Sequence, residues 1–171
     1  MHGLQPHLRI GEEDVAKYVL LPGDPERVER IAKFLNTPQE LAHNREFYSI
    51  SGFYKEIKIL VTSTGIGGTS MGIAVEELNN IGAKVLIRIG SCGALQDYMK
   101  IGDIVIATGA VRNDGASRAY VEKSYPAVPD PRVLFALMES AREQGYPHWC
   151  GRVRSHDSFY TDEEDSIDRY W

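Results

Sequence analysis

The chain has 171 residues, 43% of them hydrophobic and 25% charged, which is enough for one α/β domain and too few for two ordinary ones. We therefore expect a single domain over residues 1–171. The formal net charge of -5 argues against non-specific nucleic-acid binding, which requires a basic surface, so the expected partners are small molecules and proteins. The absence of a long apolar run or a signal-peptide pattern predicts no membrane partner and a cytoplasmic location. Cys92 and Cys150 form no disulfide framework, which fits a reducing compartment.

Short runs rich in valine and isoleucine predict strands buried on both faces, and Asp-Pro pairs or apolar residues at helical spacing predict helices. In chain order, the predicted elements are strand Tyr18–Leu21, a helix after Asp24, strand Ile57–Thr62, helix Ser70–Asn80, strand Val85–Ile89, strand Ile104–Thr108 and a helix from Asp130 that stops at Gly145. This alternation predicts an α/β fold with a mixed, largely parallel central sheet flanked by helices in three layers.

Three glycine-containing segments, residues 22–27, 64–68 and 88–93, follow predicted strands, and in open α/β sheets such segments meet at one crevice. Arg27 lies in the first turn of its helix, where the helix dipole disfavours a cation. An anion bound there would pair with Arg27 and with free backbone N–H groups. The alternative is a solvated surface arginine.

Arg88 interrupts an apolar run at the carboxyl end of a strand that we expect to be central in the sheet. A buried guanidinium needs an anionic partner, which is either a ligand or, as the alternative, an internal aspartate or glutamate. Ser91 follows shortly after, and the glycines on either side of the Ser91-Cys92 pair let backbone amides and a hydroxyl approach an oxyanion. The segment suits phosphate better than a metal.

Several other site classes lack their sequence patterns. No acidic residue stands at the dinucleotide-binding spacing, and neither a P-loop nor a GxSxG elbow is present. Cys92 has no flanking histidine and is expected to be a small buried residue. His43, His148 and His156 show no metal-ligand spacing.

Four motifs occur in order along the chain: LPGDP from Leu21 with Arg27, STGIGGTSMGIAVEEL from Ser63, IRIGSCGA from Ile87 and SHDSFY from Ser155. In these motifs the chain resembles the purine and uridine nucleoside phosphorylases. Thr69 stands where that family usually has proline or alanine, which affects only the local turn geometry.

The resemblance implies a role for nine residues. Gly23, Arg27, Arg88 and Ser91 would form the phosphate site, and a neighbouring subunit would add Arg45 to it. His7 would reach the neighbour's ribose, while Cys92, Gly93 and Phe159 would line the base or stack on it. For Arg45 and His7 the alternative is ordinary surface charge.

The resemblance also implies the reaction, which is reversible phosphorolysis of a ribonucleoside to a free base and ribose 1-phosphate. Inorganic phosphate is the co-substrate, no cofactor or metal is expected, and the protein would be a homo-oligomer with a dimer as the minimal unit and a hexamer as family practice. Family chains continue through a glutamate-methionine ribose motif, so we expect this chain to lack a C-terminal part and to be inactive alone. The general acid would lie beyond residue 171.

The preferred base depends on the stretch after Tyr160. Residues 161–165, which are acidic apart from Thr161, stand where uridine enzymes have the glutamine and arginine that read uracil, and this predicts purine nucleosides over uridine. The Ser63–Leu78 stretch resembles uridine phosphorylases instead. The alternatives are a uridine phosphorylase or a non-catalytic paralogue that binds phosphate or a nucleoside.

Overall fold

The computed structural model of the protein describes residues 3–159, and these fall into two compact units that divide between Cys92 and Gly93. The first unit contains strands β1 (Tyr18–Pro22), β2 (Asn36–Asn44), β3 (Phe47–Tyr54), β4 (Ile57–Thr62) and β5 (Val85–Ile89), with helices α1 (Pro25–Ala32) and α2 (Gly68–Asn80). The second unit contains β6 (Ile104–Asn113), a 3-10 turn (Ala116–Ala119), α3 (Pro131–Glu143) and β7 (His148–His156). The expected single domain stays a prediction.

The sheet of the first unit has the strand order β2-β3-β4-β1-β5. Strand β1 is parallel to both β4 and β5, whereas β2, β3 and β4 pair antiparallel. Since Leu21 is in register with Arg88, the segments that follow β1 and β5 leave the sheet side by side. The predicted mixed α/β fold with flanking helices is confirmed.

The two faces of this sheet carry separate apolar clusters because successive side chains of a strand point to opposite faces. On β4, Leu60 packs in the cluster that contains Ala74 and Leu78 of α2, while its neighbour Val61 packs with Val28 of α1. All of these side chains are buried. Burial of each leucine or valine among them contributes roughly 1.5–3 kcal/mol to the free energy of folding. Helices α1 and α2 therefore cover opposite faces of one sheet.

Strand β5 differs from its prediction. Within residues 3–92 it pairs with β1 alone, so it is an edge strand and not a central one. Its first three residues are half-buried, while Arg88 and Ile89 are exposed. The apolar sequence indicated a buried strand, but apolar content does not reveal how many neighbours a strand has.

In the second unit β6 and β7 form a parallel pair, and α3 contacts both strands. The Asp130 side chain caps α3 by accepting from the backbone N–H groups of Arg132 and Val133. The helix closes at Gly145, which has a φ of +69° and was predicted as its end. Among residues 3–159, no helix is long and apolar enough to cross a membrane.

Candidate active site

The turn from β1 into α1 positions Arg27. Asp24 is the N-cap, and its carboxylate accepts a hydrogen bond of 2.9 Å from the backbone N–H of Glu26, while Pro25 occupies the first helical position. This cap fixes the start of the helix, so Arg27 lies in its first turn, half-buried beside the end of β1.

Arg88 reaches across the end of β1 from the neighbouring strand. Its Nη1 donates to the carbonyl oxygens of Leu21, at 3.1 Å, and Ile89, at 2.7 Å. A Cβ atom added to Gly23 would lie 2.9 Å from Nη2, and one added to Gly90 would lie 3.1 Å from Nη1. The guanidinium therefore occupies space that these two glycines leave open.

The two arginines lie close enough for their positive charges to interact. The pKa of Arg88 is lowered, first because the surrounding protein removes part of its hydration and second because of the positive charge of Arg27. Within residues 3–92, neither arginine forms an ion pair with a carboxylate. The alternative of an internal salt bridge is therefore not found in the first unit. Arg88 is exposed and not buried, so the expected need for an anionic partner does not follow from burial; an anion between the two arginines would instead relieve their repulsion.

The glycine-rich turn after β4 closes against the turn after β1. The backbone N–H of Thr64 donates to Pro22 O at 3.0 Å, and that of Gly65 donates to Gly23 O at 2.8 Å. Gly65 has a φ of +68°, and a Cβ there would lie 2.7 Å from Cγ of Glu46. The segments 22–27, 64–68 and 88–93 thus come together through Gly23, Gly65 and Arg88 at the carboxyl ends of the strands, as predicted. For residues 91–93 the meeting stays a prediction.

Glu46 and Arg45 lie at the turn between β2 and β3. Ser70 Oγ donates to Glu46 Oε1 at 2.9 Å, and the pKa of Glu46 is lowered first by a backbone N–H and then by this hydroxyl. Arg45 is exposed, with a φ of +55°. Its side chain is therefore accessible at the surface of the first unit, but its predicted role in a neighbour's phosphate site stays a prediction.

The next residues to consider are Ser91 and the residues predicted to contact the base. Ser91 and Cys92 follow β5 and are exposed, so the expectation that Cys92 is buried is wrong in the described chain, where an edge strand precedes it. Gly93 begins the second unit, and Phe159 lies at its described end with 91% of its surface exposed. The acidic stretch used to predict purine preference lies outside the described residues.

A cavity of about 500 Å³ lies in the second unit, between β6 and the segment that follows it. Arg112, Tyr120 and Tyr125 are among its lining residues, and it contains none of the predicted site residues. The candidate site is therefore the region of Arg27 and Arg88, at the carboxyl ends of β1 and β5, and not this cavity. Residues 3–159 contain no group of three histidine, cysteine, aspartate or glutamate side chains placed to hold a metal.

His7 is held by a residue that the sequence reasoning did not select. Its Nδ1 lies 2.6 Å from Oε1 of Glu77, a buried carboxylate on α2. The available signal was that Glu77 falls on the apolar stripe of α2, together with Ala74, Leu78 and Ile81. A carboxylate in such a stripe requires hydrogen-bond donors from elsewhere in the chain.

This fold is that of a nucleoside phosphorylase-like α/β protein, and a family model described as the phosphorylase superfamily matches residues 17–170. The chain therefore belongs to the phosphorylase superfamily. Among curated relatives, uridine phosphorylase of Thermococcus kodakarensis is 50% identical over 92% of this chain and 57% of its own length. Guanosine phosphorylase of Halorubrum lacusprofundi is 41% identical over 96% of this chain and 68% of its own length.

Solved structures agree in fold. A crystal structure of uridine phosphorylase from Vibrio fischeri matches with a TM-score of 0.95 and 45% identity, over 99% of this chain and 71% of that one. Purine nucleoside phosphorylase from Toxoplasma gondii, in complex with immucillin-H, matches with a TM-score of 0.94 and 38% identity, over 99% and 69%. The chain thus spans roughly three fifths to seven tenths of the length of these relatives.

Proposed function

We propose that the protein is a nucleoside phosphorylase, which uses inorganic phosphate to split a ribonucleoside into a free base and ribose 1-phosphate. The observation that carries this proposal is the Arg27 and Arg88 pair, which lacks a carboxylate partner in the first unit and lies at a glycine-lined edge of the sheet. Relatives named uridine phosphorylase and guanosine phosphorylase support the same reaction class.

In the proposed reaction the phosphate lies between the turn after β1 and the segment after β5. Arg27 and Arg88 hold its oxygens, and Gly23 and Ser91 offer a backbone N–H and a hydroxyl. One phosphate oxygen forms a bond to the anomeric carbon as the glycosidic C–N bond breaks, and the bond electrons leave with the base. Remaining phosphate charge stabilises the cationic sugar, so positioning and electrostatics supply the catalysis without a metal or cofactor.

The departing base takes a proton from a general acid that we place beyond residue 171. The relatives are longer than this chain, which leaves room for such a group in the complete protein. We therefore propose that the 171-residue chain alone does not turn over substrate. We also propose that the complete enzyme works in the cytoplasm.

The proposed active unit is a homodimer or a larger assembly, such as a hexamer. Arg45 is exposed at a turn, and the His7 side chain keeps 41% of its surface exposed, so both can reach a neighbouring subunit. In that arrangement Arg45 adds a third cation to the neighbour's phosphate, and His7 contacts the neighbour's ribose. Cys92, Gly93 and Phe159 would contact the base.

Uridine is the first substrate to test, because the relative that is 50% identical is named uridine phosphorylase. The purine preference predicted from residues 161–165 remains the competing proposal, and the guanosine phosphorylase relative is consistent with it.

The experiment measures release of free base from uridine, inosine and adenosine by the complete gene product, with and without phosphate. We expect release only when phosphate is present, with ribose 1-phosphate as the second product. Equal release without phosphate would make the protein a nucleosidase. Binding of phosphate or nucleoside without any turnover would identify a non-catalytic paralogue.

A further inference from the structure

Glu77 is a buried acidic group that the proposed reaction does not use. Its side chain is 8% exposed, and it lies on the face of α2 that packs in the apolar core with Ala74 and Leu78. An ionised carboxylate in such a place is stable only when donors surround it. The structure supplies them from a segment about 70 residues away in the chain.

Within residues 3–159, the donors come from His7 and Leu8. The backbone N–H of His7 lies 3.1 Å from Oε1 and 3.0 Å from Oε2, and that of Leu8 donates to Oε2 at 2.8 Å. The shortest contact joins His7 Nδ1 to Oε1, at 2.6 Å. The carboxylate thus binds both the backbone of the N-terminal segment and the imidazole ring.

The ring contact determines which nitrogen carries the proton. An ionised carboxylate only accepts hydrogen bonds, so the 2.6 Å contact requires a proton on Nδ1. In a neutral imidazole Nε2 is then an unprotonated acceptor. The side chain of His7 is 41% exposed, so the ring retains a surface that a ligand can reach.

We infer that Glu77 is a positioning residue, which holds His7 in the Nδ1–H tautomer so that Nε2 accepts a hydrogen bond from a ribose hydroxyl. This inference rests on the proposed function, in which His7 contacts a neighbour's ribose. A purely structural Glu77 would anchor residues 7 and 8 to α2 but would have no effect on how a substrate hydroxyl is read.

The first test does not depend on catalysis. Histidine-selective ¹⁵N NMR on the complete protein, at about pH 8 so that an ordinary imidazole is neutral, identifies the protonated ring nitrogen of His7. A His7→Gln spectrum assigns the signal. We expect the proton on Nδ1 in the wild type. In Glu77→Gln the amide NH₂ faces Nδ1 and donates to it, so the ring proton should shift to Nε2. An Nε2–H tautomer in the wild type would overturn the inference, even if the variant does not fold.

The second test measures kcat/KM for a nucleoside and its 2′-, 3′- and 5′-deoxy analogues. Loss of the hydroxyl that His7 contacts should cost the wild type about tenfold, the value of one hydrogen bond. Glu77→Gln and His7→Phe should both lose this discrimination while the KM for phosphate stays the same, and the double variant should be no worse than either. Exposed Glu76, changed to Gln, is the matched control.

Wild-type discrimination in a folded Glu77→Gln would reduce Glu77 to an anchor and overturn the inference. If the wild type cleaves no nucleoside at all, the proposed function fails, and the tautomer measurement still decides whether Glu77 sets the ring.

Discussion

Replacing Gly23 by alanine tests whether Arg88 must occupy its observed place for phosphate to bind. The new Cβ would lie 2.9 Å from Arg88 Nη2 and 3.3 Å from the backbone oxygen of Gly65, closer than the ordinary contact range of 3.4–4 Å. Because the guanidinium is the end of a flexible side chain, it moves away, while the backbone oxygen yields a few tenths of an ångström. The substitution therefore displaces Arg88 without opening the core.

The expected loss is one charge-assisted hydrogen bond to phosphate. Such a bond contributes about 1.5–3 kcal/mol, which corresponds to roughly a tenfold to hundredfold rise in the Kd for phosphate. The φ of Gly23 lies outside the left-handed region, so alanine introduces no backbone strain, and the melting temperature should change by no more than about 2 °C.

Isothermal titration with phosphate measures the Kd, and differential scanning calorimetry measures the stability. Gly151→Ala is the matched control, because a Cβ at that strand position meets no atom within 4 Å. An unchanged Kd in a folded Gly23→Ala would show that the position of Arg88 does not determine anion binding, and the steric reasoning would be refuted.

Three further predictions concern stability, pH and assembly. The hydroxyl of buried Ser63 donates a hydrogen bond of 2.6 Å to the backbone oxygen of Glu46 and accepts one of 2.8 Å from the backbone N–H of Tyr48. Ser63→Ala should therefore lower the free energy of unfolding by about 1–3 kcal/mol in urea titrations. An unchanged urea midpoint would contradict this prediction. The hydrogen bond from Trp149 Nε1–H lowers the pKa of Asp103 below its ordinary value of 3.8. The ionised carboxylate should therefore stabilise the fold above pH 3.8, and this stabilisation should disappear as the pH falls through the lowered pKa. The fluorescence of Trp149 should change at that pH, and Asp103→Asn should abolish the change. Mixing complete Arg45→Ala and Arg88→Ala proteins should restore activity, since a hybrid dimer carries one intact site, and continued inactivity after proven subunit exchange would exclude shared sites.

Elements with local sequence signals were predicted well. The Asp-Pro pairs at Asp24 and Asp130 each start a helix, because the cap and the proline act within one turn. The meeting of residues 22–27 with the start of the segment 88–93 was also predicted, because the carboxyl ends of the parallel neighbours β1 and β5 lie side by side.

Features that depend on distant pairing were not predicted. The polar strand β2 (Asn36–Asn44) is mostly exposed at the edge of the sheet, and it is a strand because β3 pairs with it. Strand β7 depends in the same way on β6. The edge position of β5 and the bonds from Glu77 to His7 follow from contacts between distant residues, which hydrophobic periodicity does not reveal.

The most direct test of the phosphate site is a calorimetric titration of phosphate into the wild type and Arg88→Ala. Arg30→Ala is the control, since Arg30 is an exposed arginine on α1 whose guanidinium lies 3.8 Å from the carboxylate of Glu26. We expect Arg88→Ala to fold and to lose phosphate binding, while Arg30→Ala binds phosphate as the wild type does. Wild-type affinity in Arg88→Ala would contradict this expectation, because Arg88 would then have no part in binding the anion.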